Sequence, residues 1–189
     1  IPETDSLIAE NFPLHMQAYF LADTYIRAFL REKLIRTLSD AGVPLSVYGG
    51  DWEKMPPLSG GNVSFHESVP YADTFSLMAD AKITLNIMPL FKNGSHDRIP
   101  SAMLNKSVAV TDRSDMLTRL YQDGTDLVFY DTDHMELLPQ QIFSLLSDEQ
   151  RLSSIAEAGY KNAKKNATWE TTGQRFFYIL DKNGRMSSV

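Results

Sequence analysis

Apolar residues along this chain follow two rhythms: short unbroken runs, and longer stretches in which they recur every three or four positions. The runs KITLNIM (82–88) and SVAVT (107–111) are rich in Ile, Leu and Val, so both are predicted as strands buried on two faces of a sheet. Between them lie a polar loop, FKNGSHDR (91–98), and a short predicted helix over Ile99–Asn105 that accepts Pro100 in its first turn. Strand, loop, helix and strand in that order make a parallel βαβ unit. Upstream, Ile26, Phe29, Leu30, Leu34 and Leu38 recur at helical spacing and Ala41-Gly42 supplies a stop, which predicts a long amphipathic helix. The stretch around Leu7–Phe20 is predicted as a separate helix interrupted near Pro13, with Met16, Tyr19 and Phe20 free to cover the core or a neighbour.

Pro44–Tyr48 reads as a strand that runs straight into Gly49-Gly50-Asp51-Trp52, and the Pro/Gly-rich tract 55–62 reads as a loop. Val63–Val69 alternates apolar and polar residues and is predicted as a strand with one less buried face, followed by a short helix over Thr74–Ala81 capped by Asp73. Beyond the βαβ unit, Ser114 or Asp115 caps a helix carrying Met116, Leu117, Leu120 and Tyr121, which Gly124 ends; Asp126–Tyr130 is a further strand. The last third is helical, over Leu137–Leu146, Asp148–Lys165 and a final helix after Thr168. Ser147 with Gln150 suggests a capping box, and Trp169, Phe176, Phe177, Ile179 and Leu180 suggest an apolar face. The fold class is therefore α/β, a Rossmann-like parallel sheet with helices on both faces and a helical C-terminal third. The expected organisation is a leading helical segment (1–43), a Rossmann-like domain (44–182) and a polar tail (183–189).

At 189 residues the chain is long enough for one such domain to bury roughly 70% of its unfolded surface. With 43% hydrophobic and 22% charged residues and no apolar run of membrane-spanning length, a globular domain without a membrane span is expected. The absence of cysteine excludes disulfides and thiolate chemistry and is compatible with a reducing compartment, so a cytoplasmic location is expected. A formal charge of −6 argues against non-specific nucleic-acid binding, which needs a clustered basic surface. The basic groups RAFLREKLIR and KNAKK are read as exposed helix faces.

Candidate chemistry gathers where the strands end. In an open parallel sheet, ligands bind at the carboxyl edge, which brings Gly49-Gly50-Asp51, Glu67-Ser68, the loop after Met88 and Thr111-Asp112 towards one crevice. The loop offers Lys92, Asn93, Gly94, Ser95, His96, Asp97 and Arg98: two cations, a glycine for close backbone approach and the amides of a helix start, a set that suits phosphate. An ordinary solvated connection is the other reading, since no Walker or dinucleotide-binding glycine spacing is present. His96 could hydrogen-bond a sugar hydroxyl and Asp97 could orient Arg98. Asn86, unusual in a buried strand, could bond a neighbouring loop and orient the site. His15, His66 and His134 are scattered without metal-ligand spacing, so no metal is expected. Asp112 and Asp131 at strand ends raise a phospho-receiver as an alternative, which the glycines after the first strand disfavour. Trp52 could cover a base, although Trp52 and Trp169 suit packing equally.

Taken in order, VYGGDW (47–52), VSFHESVPYADTFSLMADAKITLNIMP (63–89), a loop ending in HDR (96–98), SAMLNKSVAVTD (101–112) and AGYKNAKKNATWE (158–170) resemble the donor-binding C-terminal domain of GT-B glycosyltransferases, group 1 type, with the CgeB-like branch nearest. The resemblance covers about Leu45–Leu180, and it lies in order and spacing rather than in any one motif. It implies a nucleotide-sugar donor (UDP-, GDP- or ADP-sugar), no tightly bound cofactor, an unknown acceptor and a separate N-terminal domain. By the same resemblance Gly49 and Gly50, with Asp51 beside them, lie near the diphosphate, Glu67, Ser68 and Tyr71 lie along the base, and Gly94–Arg98 form the phosphate and sugar loop. Arg98 would stabilise the departing diphosphate without a metal, helped by Lys92, with His96 at the sugar. Ser101 stands where many relatives bind ribose with a glutamate, and Asn93 also departs from their paired glutamates. A non-catalytic nucleotide-binding or interaction module on a degenerate transferase fold is the alternative.

Overall fold

The computed structural model describes residues 11–182, apart from 57 and 59. The tail 183–189 and the start of the predicted first helix lie outside the described residues. The leading segment is one helix, α1 (Phe12–Asp40), rather than two, because Pro13 falls in its first turn, where the ring displaces no hydrogen bond. Then come β1 (Leu45–Tyr48), β2 (Val63–His66), α2 (Thr74–Asp80), β3 (Ile83–Asn86), α3 (Arg98–Leu104), β4 (Val108–Asp112), α4 (Asp115–Leu120) and β5 (Val128–Tyr130). Three helices close the described chain: α5 (Leu138–Ser147), α6 (Glu149–Asn166) and α7 (Trp169–Lys182).

Every strand pair is parallel. β1 pairs with β2, β3 with β4 and β4 with β5, so the hydrogen-bonded ladder is in two pieces, while Leu45 of β1 packs on the same core as Ile83 and Leu85 of β3. The alternation of a strand sorts the central residues into two cores. Val108, Val110, Val128 and Tyr130 point to the side covered by Leu34 and Leu38 of α1, Leu138, Ile142 and Leu145 of α5, and Leu152 and Ile155 of α6. Ala109 and Phe129 point to the other side, against Ile99, Ala102 and Met103 of α3, Leu117 of α4 and Ala163 of α6. Helices thus cover both faces, and β4 is buried along its whole length, as its unbroken apolar run requires.

Several ends differ in detail from the sequence reading. Asp73 makes no side-chain cap to α2, because a 3₁₀ turn over Tyr71–Asp73 leads directly into that helix. Ser114 caps α4 by accepting from the Leu117 amide at 3.1 Å. The cap of α6 is Asp148, whose carboxylate accepts from the Arg151 amide at 2.9 Å; Ser147 instead donates back to the Phe143 carbonyl, so no capping box forms. Thr168 caps α7 as expected, accepting from the Thr171 amide at 3.2 Å. The apolar residues of α7 are not buried, however: Trp169 is 92% exposed, and Phe176, Phe177 and Ile179 also face outward.

Dimensions explain the exposed first half of α1. A short turn joins its end to β1, and its 29 residues span about 44 Å against about 13 Å for that four-residue strand. Only Leu34, Ile35, Leu38 and Ser39 are buried. Beyond the sheet, Phe12, Leu14, Met16, Tyr19, Phe20, Leu21, Tyr25 and Phe29 are exposed.

Candidate functional site

The last residue of β3 organises the carboxyl edge. Asn86 is buried; its Oδ1 accepts from Arg98 Nη1 at 2.8 Å, and its Nδ2 donates to Thr111 Oγ1 at 3.0 Å. The amide orientation is unambiguous, because a guanidinium can only donate. Tyr130 reaches across from β5 and donates to the Asn86 carbonyl at 3.0 Å. The phenol is buried beside Asp112, and both influences, burial first, push its proton affinity far up, so it acts only as a neutral hydroxyl.

Arg98 opens α3 and is half-buried. Its guanidinium has no carboxylate within ion-pairing distance among the described residues, and its fixed partner is the neutral Asn86. Burial first, then the field of Arg31 on α1, lowers its pKa from the ordinary arginine value, while Asp97 opposes. Asp97 does not orient Arg98, contrary to the expectation from sequence. It accepts from the Tyr71 phenol at 2.9 Å and lies 2.7 Å from His96 Nδ1. The same Nδ1 lies 3.1 Å from the Arg98 amide, and one nitrogen cannot donate to Asp97 and accept from that amide together, so the tautomer selects between them. Burial, followed by Arg98, holds the His96 pKa below its usual value, with Asp97 opposing and Arg31 adding to the decrease.

Asp112, at the end of β4, is 1% exposed. One carboxylate oxygen accepts from the Met88 amide at 2.7 Å; the other has no hydrogen bond, and Lys92 Nζ stands 4.0 Å from it. Burial raises the Asp112 pKa, opposed by the Met88 amide and Lys92. The loop is closed from α4: Ser114 donates to the Gly94 carbonyl at 2.6 Å and the Asp115 amide to the Lys92 carbonyl at 2.8 Å. A side chain at Gly94 would collide with the Phe91 ring at 2.1 Å, so the glycine also has a packing reason. Asn93 is exposed, and Ser95 donates to the His96 carbonyl at a long 3.3 Å. Ser101, one turn into α3, sits beside the Tyr71 phenol.

Tyr71, Lys92, Gly94, His96, Asp97, Arg98 and Ser101 are thus gathered around Asn86 and Asp112. Gly49, Gly50 and Asp51 form a separate turn at the end of β1. Gly49 has φ +142° and the Trp52 indole against it, and Asp51 has φ +69° and pairs with Lys54. Glu67 and Ser68 are exposed just after β2. Among the described residues, no hydrogen bond or ion pair ties these two turns to the 92–101 loop. The sequence reading placed Thr111 at the crevice but did not include Ser114 or Tyr130 in the site, nor Arg31, whose charge acts on both His96 and Arg98. For Arg31 a signal existed: Arg27 and Arg36 each have an acid four residues earlier, whereas Arg31 has Arg27 there.

No cluster of His, Cys, Asp and Glu able to hold a metal occurs among the described residues, and none of their helices is long and apolar enough to cross a membrane. A sequence model described as glycosyl transferase-like matches residues 27–177. The chain belongs to the glycosyl transferase-like family. The receiver alternative falls with that assignment. No curated protein matches the chain. Among solved structures, this glycosyl transferase-like chain is similar to HepE of Anabaena in complex with UDP-glucose, with a TM-score of 0.62 at 18% identity over 77% of this chain and 44% of that one. Sucrose-phosphate synthase from Thermosynechococcus elongatus gives 0.65 at 15% identity over 83% and 44%, and TarM 0.62 at 13% over 82% and 32%. The likeness is one of fold, that of the C-terminal Rossmann-like domain of GT-B glycosyltransferases. The chain covers 32% to 44% of the length of these structures.

Proposed function

We propose that this chain is the nucleotide-sugar-binding domain of a glycosyltransferase, which transfers a sugar from a nucleoside-diphosphate donor to an acceptor held by another domain. The observation that carries this reading is Arg98: a half-buried guanidinium aimed by a neutral amide, with no carboxylate partner among the described residues. A positive charge withdrawn from water and left uncompensated calls for an anion from outside the chain. A diphosphate fits, because the guanidinium can engage two of its oxygens, and Lys92 and loop amides stand beside it. HepE binds UDP and UDP-glucose, which makes UDP the first nucleotide to test.

In the reaction, bond breaking at the anomeric carbon builds charge on the departing diphosphate, and Arg98 with Lys92 stabilises it. His96, whose proton affinity burial and Arg98 lower, would bond a sugar hydroxyl. Gly49, Gly50 and Asp51 would border the diphosphate, and Glu67, Ser68 and Tyr71 the base, as the resemblance to the CgeB-like branch implies; Asn93, Ser95 and Ser101 would line the remainder. An N-terminal domain of the same protein would carry the acceptor site. The projecting half of α1 has apolar residues on all sides, as expected of a helix that is covered, and the match covers only 32% to 44% of the HepE structures. A second reading, a binding module without turnover, rests on Ser101, which lacks the carboxylate that would accept from ribose.

Calorimetric titration with UDP, GDP and ADP tests the reading. Binding of one nucleotide that is lost in Arg98→Ala supports it, and binding unaffected by that change overturns the assignment of the diphosphate to this loop. For the second reading, Ser101→Glu should tighten nucleotide binding if the site is a degenerate transferase site.

A further inference from the structure

Of the asparagines in the chain, only Asn93 and Asn183 precede a glycine, and Asn183 lies outside the described residues. Asn93 sits in the loop between β3 and α3, around which the candidate site is built. Its side chain is exposed and has no hydrogen-bond partner among the described residues. The Gly94 amide that follows donates to none of them either. The carbonyls on either side are held, that of Lys92 by the Asp115 amide at 2.8 Å and that of Gly94 by the Ser114 hydroxyl at 2.6 Å. The peptide joining Asn93 to Gly94 is thus the unheld link of an anchored loop.

Two contrasts set this pair apart. Asp123-Gly124, the one Asp-Gly pair, places a side-chain carbonyl and the next amide at the same spacing, but there the Gly124 amide donates to the Leu127 carbonyl at 2.8 Å. The Asp123 carboxylate is itself engaged by Arg113 and by the Phe129 amide. Asn62, Asn86, Asn105, Asn162 and Asn166 each donate through Nδ2 to a partner, and each precedes a residue with a side chain. A glycine nitrogen has no neighbouring Cβ to shield it, and its backbone turns freely.

We propose that Asn93 is a self-modification site, converting by deamidation into an acidic residue that lowers the affinity of the neighbouring site for its anionic ligand. On losing its proton, the Gly94 nitrogen attacks Asn93 Cγ. The bond from that nitrogen to Cγ forms, the bond from Cγ to Nδ2 breaks, and Nδ2 leaves as ammonia, which closes a cyclic imide. Water then adds to one imide carbonyl and opens the ring to an aspartate, or adds to the other and gives an isoaspartate. One water is consumed, one ammonia is released, and a neutral amide becomes a carboxylate without any oxidant. The conversion stands on the loop alone, whereas its effect on affinity rests on the donor-site reading above. The new carboxylate, next to Lys92 in sequence, competes for that ammonium and repels a diphosphate. At this exposed position UDP affinity should fall roughly three- to tenfold. Bound UDP restrains the loop and should slow the conversion.

The test is peptide mapping by mass spectrometry of the chain warmed at mildly alkaline pH, with and without UDP. Calorimetric titration with UDP then compares each protein with its own fresh sample. Asn93 and Asn183 should convert ahead of the other asparagines, and UDP should slow Asn93 alone. Wild type should lose affinity in step with conversion at Asn93. Asn93→Gln, whose longer side chain closes the ring far more slowly, should keep its own fresh value, and fresh Asn93→Asp should already show the loss. Conversion at Asn183 with Asn93 intact overturns the proposal and leaves the donor site standing. Conversion at Asn93 with undiminished affinity, while Arg98→Ala abolishes binding, overturns the effect on the site. If fresh wild type binds none of UDP, GDP and ADP, the donor-site reading and the effect on affinity fall together, and the mass spectrum decides the modification by itself.

Discussion

Replacing Asn86 by Asp isolates the feature on which the functional reading depends. The change is isosteric and swaps a neutral partner of Arg98, 2.8 Å from its guanidinium, for a charged one. The fold should tolerate it: the Thr111 hydroxyl, now an acceptor from Asn86 Nδ2, can rotate and donate to the new carboxylate, and stability should stay within about 1 kcal/mol of wild type. Asn86→Ala provides the contrast, because it removes one hydrogen bond to a charge and one neutral bond and should cost about 2–4 kcal/mol. Anion binding should respond differently. A carboxylate about 6 Å from a bound phosphate, at an effective dielectric of about 20, opposes it by about 2.8 kcal/mol, or roughly 100-fold in affinity. Urea denaturation reads the first quantity and nucleotide titration the second. An Asn86→Asp protein that binds UDP as tightly as wild type would refute the idea that Arg98 is kept without an acid so that it can meet an anion.

Asp112 gives a pH prediction. Its carboxyl holds a proton more tightly folded than unfolded, so between the unfolded value near 3.9 and the raised folded value the native state binds the extra proton, and stability falls as pH rises through that window. Asp112→Asn removes this slope; denaturation from pH 3 to 8 should show the variant gaining on wild type across the window and holding the gain above it, and a wild type that gains on the variant there would contradict this. Gly159 on α6 lies against the backbone of the loop before β5, where an added Cβ would meet the Asp126 carbonyl oxygen at 2.4 Å. Gly159→Ala should therefore destabilise by about 1–3 kcal/mol despite better helix propensity, and a neutral result in thermal or urea unfolding would argue against this packing. Phe20 is 69% exposed on the projecting part of α1, so Phe20→Ser should change the stability of this chain by less than about 0.5 kcal/mol while, on the proposed reading that an N-terminal domain covers this helix, weakening association with that domain. Equal loss of stability and association would mean that the residue serves this domain instead.

Local patterns determined much of this protein. The apolar runs at 82–88 and 107–111 can hide their side chains only in a sheet covered on both faces, so the parallel α/β class, the order of elements and the placement of FKNGSHDR at a strand's carboxyl end followed directly. Asn86 was legible as well, since an amide in a buried strand must find partners. What sequence could not supply was which partners. Arg98 is adjacent to Asp97, and proximity along the chain favours that pair, but the start of α3 sends the two side chains apart: Asp97 to Tyr71 and His96, Arg98 inward to Asn86. Tyr130 and Ser114 joined the site only because strand register and the α4 turn bring them across gaps of 44 and 20 residues. The apolar residues of α1 and α7 show the same limit. Periodicity says that such faces want cover, and only the length of α1 against a four-residue strand decides that this domain leaves half of that helix uncovered.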